Sequence, residues 1–169
     1  MITKRFILLI VVGTVIITAG YLVGTMLIPR HVNVGQTIFD VTDKRRLVGH
    51  ATHVFEGRVI AQVGSKGLLT SIPGDSIPQN QYTVEIIEGI KGDAAGTVIV
   101  NQYDNIEGDS PLKLGHKYIF VTRYSSETGW HHITAAGHGN IQIKDEKSRK
   151  DLVEEFKKAR KEQISSESE

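Results

Sequence analysis

The stretch QYTVEIIEGIKGDAAGTVIVNQY, Gln81–Tyr103, sets how the rest of the chain is read. Tyr82, Val84 and Ile86 alternate with Thr83 and Glu85, the two-residue period of a strand with one buried face. KGDAAG, Lys91–Gly96, supplies turn formers, and TVIVNQY, Thr97–Tyr103, returns as the second arm of a hairpin.

The same grammar holds on both sides. HVFEGRVIAQV, His53–Val63, is rich in β-branched residues, and its Gly57 predicts a bulge or sharp bend. SKGLLTSIPGDSIPQN, Ser65–Asn80, holds two prolines among turn formers and reads as a long exposed loop. HKYIFVTRY, His116–Tyr124, is apolar on both faces at its centre, as in a strand covered on both sides. GWHHIT and GNIQI are expected to form the last hairpin. DEKSRKDLVEEFKKARKEQ, Asp145–Gln163, carries Leu152, Val153, Phe156 and Ala159 as a narrow apolar helical stripe. A shorter helix is expected within Asp40–Ala51, where Val41, Leu47, Val48 and Ala51 recur near helical spacing.

Five or six short strands with one flanking helix predict a mainly β protein. The expected fold is a small OB-like antiparallel β-barrel with a C-terminal α-helix, because closure removes exposed sheet edges.

The N-terminus reads differently. Phe6 to Ile28 is 23 residues without a charge, long enough as a helix to reach about 34 Å across a hydrocarbon core of roughly 30 Å. A cleaved signal peptide is the competing reading, with ITAG at Ile17–Gly20 as its cleavage site, but the apolar run continues well beyond it. The expectation is therefore an uncleaved transmembrane signal-anchor. Lys4 and Arg5 before the span place the N-terminus in the cytoplasm and the remainder outside. The expected organisation is a cytoplasmic segment 1–5, a span 6–28, a linker with a short helix 29–49, the barrel 50–143, an amphipathic helix 144–163 and a frayed tail 164–169.

Composition narrows the chemistry. Twenty Lys and Arg against 19 Asp and Glu leave a formal charge of +1, so no broad basic surface points to nucleic acid. Cysteine is absent, which excludes disulfides, thiolate metal sites and a cysteine nucleophile. Ser65, Ser71, Ser76 and Ser110 lack a G-x-S-x-G elbow, and GSKGLLT, Gly64–Thr70, lacks the Walker spacing. Neither a catalytic residue nor a cofactor is expected.

Three segments, taken in order, carry a resemblance. They are ATHVFEGRV (Ala51–Val59), YTVEIIEGIKGDAAGTVIV (Tyr82–Val100), and PLKLGHKYIFVTR with the later GHGNIQI. Together they resemble a broad group of secreted or membrane-anchored bacterial proteins with a barrel similar to tissue inhibitors of metalloproteinases (TIMPs) and netrin modules. The resemblance covers about residues 50–143 and implies a fold and an envelope location, not an activity. The animal inhibitors act through an N-terminal cysteine, so their inhibitory residues find no counterpart here.

Two candidate sites follow. The first is GWHHITAAGHGN, Gly129–Asn140, with three histidines in eight residues. On a strand His131 and His132 point to opposite faces, so only one of them can join His138 on one ion; His132 with His138 is the candidate pair. The second is Leu69, Ile72, Pro73, Ile77 and Pro78, apolar anchors of the expected loop, placed to capture a partner. The leading expectation is non-enzymatic binding of an envelope protein or surface component at the outer face of the membrane. A metal-binding or metal-sensing protein and an inhibitor of an envelope protease stand behind it.

Overall fold

The computed structural model of the protein describes residues 40–69, 76–104 and 109–164. Helix α1, Lys44–His50, is followed by strands β1 (His53–Leu69), β2 (Ser76–Lys91), β3 (Thr97–Tyr103), β4 (Lys117–Ser125), β5 (Trp130–Ile133) and β6 (Asn140–Ile143), then by helix α2, Glu146–Lys161. The pairing runs β1–β2–β3–β5–β4, and β4 returns to β1, so five strands close on themselves. All of these contacts are antiparallel except β3 with β5. The protein is thus mainly β, a closed five-strand barrel with a C-terminal helix, compatible with an OB-like fold.

The alternation in Gln81–Tyr103 does what its period demands. Tyr82, Val84 and Val100 fill the barrel interior with Phe55, Val59, Tyr118, Phe120 and Ile133, while Ile86 packs at its edge. The hairpin turn is wider than KGDAAG. Pairing to β3 ends at Glu85 with Thr97, and β2 continues to Lys91 against β1 alone. Gly57 interrupts the β1 register as expected, and a Cβ there would lie 2.5 Å from Val84 Cγ1 and 3.3 Å from Phe120 Cδ2. Both neighbours are fully buried and cannot swing away. Gly57→Ala should therefore cost about 2 kcal/mol in urea unfolding, an overpacking penalty. An unchanged midpoint would show that the strands can spread.

The apolar character of both β4 faces has a simple cause. Tyr118 and Phe120 point inward, whereas Ile119 and Val121 lie under the two helices with Leu47, Val48, Val153, Phe156 and Ala159. Asp145 caps α2, accepting from the Ser148 backbone N–H while Ser148 Oγ accepts from the Asp145 N–H.

Two expectations are corrected. Ser65–Leu69 and Ser76–Asn80 are not loop: they pair residue for residue, and beyond Gln79, the last β2 residue paired with β3, Gly67–Leu69 and Ser76–Pro78 run on as a two-stranded arm. Pro78 is tolerated there because Asp104 N–H donates to its carbonyl, and no N–H is required of it on that side. The second correction concerns β5 and β6, which do not form a hairpin. Both pair antiparallel with β4, β5 along Thr122–Ser125 and β6 along Lys117–Phe120. They are two pieces of one interrupted strand. Thr134 N–H donates to Val121 O and Val121 N–H to Gly139 O, which bridges the excursion between them.

The uncharged run Phe6–Ile28 lies outside the described residues. Among the described residues no helix is long and apolar enough to cross a membrane.

Candidate functional site

Closure of the barrel brings together a group that neighbouring sequence does not announce. His131, on the inward face of β5, is 3% exposed and lies edge-on to His53 with ring centroids 4.9 Å apart. Phe55 and Tyr124 complete its surroundings at 5.5 and 5.1 Å. Its Nδ1 is 3.1 Å from Thr122 Oγ1 on β4. Burial first, then the nearby His53 and His132, depress His131 to about 4. It is a neutral imidazole at ordinary pH.

His53 stands at the rim. Its Nε2 is 3.1 Å from Asp93 Oδ1, and its Nδ1 is 3.0 Å from Thr52 Oγ1. Asp93 is fully solvated; the hydrogen bond from His53 holds its carboxyl below the usual range. The β1–β2 register makes this contact: Val54 faces Lys91, which delivers the Gly92–Asp93 turn to the His53 ring. Gly92 has φ of +79°, and a Cβ there would sit 2.3 Å from His53 Cδ2, so only glycine lets the turn approach.

Asp93, His53 and Thr52 follow the order of a nucleophilic relay, yet the threonine is committed elsewhere. Thr52 Oγ1 accepts from Tyr124 N–H at 2.7 Å and lies 3.3 Å from the Thr122 carbonyl. A hydroxyl pinned between two backbone groups ties α1 to β4 rather than attacking a substrate.

The histidine pair expected from sequence, His132 and His138, falls on β5 and on the excursion that follows it. His131 and His132 do face opposite sides of β5, and His132 is half-buried, its pKa lowered by burial. His138 is exposed, in the Thr134–Gly139 excursion. Among the described residues no three His, Cys, Asp or Glu side chains converge as a metal site. His50 sits in α1 against Arg123, its Nε2 3.2 Å from the guanidinium, and His116 Nδ1 is 2.7 Å from Gln142 Nε2.

The partner-capture residues divide. Leu69 ends β1, and Ile77 and Pro78 belong to β2, opposite Leu68 and Gly67. Pro78 is exposed, while Ile72 and Pro73 lie outside the described residues. Other large apolar residues, outside the expected loop, are exposed. Ile60 and Val63 are 48% and 55% exposed. Leu114, 59% exposed, occupies the turn whose Gly115 N–H bonds the Val59 carbonyl. The available signal was Val59–Ile60–Ala61, successive apolar residues that put apolar side chains on both faces of a strand.

A second group was also missed. Glu56 is fully buried on the outer face of β1, where Arg149 Nε donates to its two oxygens at 3.0 and 2.8 Å. Arg149 also reaches Glu88 at 3.0 Å, and Lys157 pairs with the same Glu88. These contacts hold α2 on the barrel and raise the already high pKa of Arg149, chiefly through its hydrogen bond and charge pairing with Glu56.

Compared with known protein families and with curated proteins, the chain finds no match in either.

Proposed function

We propose that the protein is a membrane-anchored binding module of the bacterial cell envelope, working outside the cytoplasm and without catalysis. The observation that carries this reading is the stretch of β1 beyond Arg58, its last residue paired with β4, which leaves Ile60 and Val63 exposed. Large apolar side chains exposed close together on one strand of a barrel mark a surface for a protein partner. The uncharged run Phe6–Ile28 supports the anchor, with Lys4 and Arg5 keeping the N-terminus inside. The three ordered segments that resemble the TIMP- and netrin-like bacterial group, together with the closed barrel, support kinship with it and an envelope location.

In-cell photocrosslinking from Val63 of the intact chain, followed by identification of what is captured, tests the reading. A single reproducible envelope protein is expected, and Ile60→Glu with Val63→Glu should reduce its capture by about tenfold or more while leaving the unfolding midpoint in place. Undiminished capture by that variant would remove this stretch of β1 from the interface.

A further inference from the structure

We infer that the recess between the end of β2 and the last turn of α2 is a phosphate-binding site. The recess holds about 470 Å³ and is lined by Gly89, Ile90, Lys157, Arg160 and Lys161. Lys91 stands beside it on β2, its Nζ donating to the Val48 carbonyl at 2.7 Å. Three cations therefore line one concavity, with Lys91 next in sequence to its wall, in a protein whose overall charge is only +1.

Structural duties absorb part of this charge and leave Lys161 over. A helix C-terminus carries roughly half a negative charge, enough to favour one cation. Arg160 already serves the backbone, donating to the Ile90 carbonyl at 2.6 Å. Glu88 is the acidic side chain paired at this place, and it is shared between Lys157 and Arg149. Lys161 has no carboxylate within salt-bridge distance among the described residues. Lys157 lies three and four residues before Arg160 and Lys161 on the same helix, spacings at which like charges repel. The crowding also reaches Lys91, whose pKa is lowered by burial and then by Arg160. An anion in the recess would relieve all of these repulsions together.

The arrangement favours phosphate over carboxylate. Lys157, Arg160 and Lys161 offer their donors from successive turns of one helix, with the Arg160 guanidinium held in place by its backbone bond. A planar carboxylate satisfies one fork, whereas tetrahedral phosphate oxygens accept from converging lysines and an arginine at once. Glycine at position 89 leaves the wall there as bare backbone. The phosphate could belong to a soluble phosphoester or to a lipid headgroup, since both present the same group.

The test is acetylation footprinting of the full-length chain, read lysine by lysine by mass spectrometry. One arm uses neutral detergent micelles with inorganic phosphate against sodium chloride of equal ionic strength. The other uses nanodiscs of phosphatidylcholine with and without phosphatidylglycerol. Protection of Lys157 and Lys161, with Lys147 and Lys150 at the other end of α2 unprotected, is the expected result. Protection by phosphate alone assigns a soluble phosphoester, and protection only by phosphatidylglycerol assigns a lipid headgroup. Lys161→Glu removes no structural contact and should melt as the wild type without phosphate, yet weaken protection of Lys157 by about tenfold. Equal acetylation of Lys157, Lys161, Lys147 and Lys150 in both arms would overturn the site.

Discussion

Replacing Arg149 with methionine should destabilise the protein by about 3–5 kcal/mol, because it leaves the carboxylate of Glu56 buried and alone. Glu56 has no exposed surface, and Arg149, about a quarter exposed, supplies both of its side-chain hydrogen bonds. The same substitution releases Glu88 to Lys157 only. For a domain of this size the melting temperature should fall by roughly 10 °C or more. Replacing both partners, Glu56→Leu with Arg149→Met, should recover much of the loss, since an apolar pair needs no compensation in a dry interface. A single variant that melts within a degree or two of the wild type would mean that water reaches Glu56. The pair makes α2 part of the fold rather than an appendage. Phe156 and Val153 bury its apolar stripe over Ile119 and Val121, and Arg149 fixes its first turns to β1 and β2.

The barrel was legible where burial alternates over neighbouring residues. Tyr82, Val84 and Ile86 announce their inward face, the double apolar character of Tyr118–Val121 announces cover on both sides, and the stripe through Phe156 announces α2. Features made by partners far apart in the chain were not. The arm was hidden because Gly67 and Pro78 are turn formers by local chemistry, while the β1–β2 register that overrides them is a property of both strands together. GWHHIT and GNIQI look like a hairpin because they are adjacent; their shared edge on β4 lies earlier in the chain. Glu56 follows the same logic. On an isolated strand an outward glutamate reads as solvated, and only a helix arriving 93 residues later makes it buried. The candidate sites draw on sequence neighbours, His132 with His138, whereas the companions of His131 in space are His53, Phe55, Tyr124 and Thr122.

That company makes the stability of the protein fall with acid in a definite window. His131 titrates at about 4 in the folded protein, against an ordinary value of 6.5 for the unfolded chain. Above pH 6.5 the ring is neutral in both states and contributes nothing to the pH dependence. As the pH falls from 6.5 towards 4 the unfolded chain takes up a proton that the folded one refuses. Stability then declines by up to about 1.4 kcal/mol per pH unit, reaching roughly 3 kcal/mol at pH 4 and levelling off below it. His50 and His132, also lowered by burial, push in the same direction. Asp40, Asp43, Asp93 and Asp145 are lowered too, but their contribution is lost only as the pH falls below the ordinary carboxylate value of 3.8. The two families therefore separate on the pH axis. His131→Asn keeps a polar atom near Thr122 Oγ1 and has no proton to gain. Urea unfolding of the variant should show a shallower slope between pH 6.5 and pH 4, by about 3 kcal/mol across the window, whatever its stability at neutral pH. Parallel curves for the two proteins would mean that His131 accepts its proton without leaving the barrel, and that the imidazole contact with His53 at 4.9 Å tolerates charge.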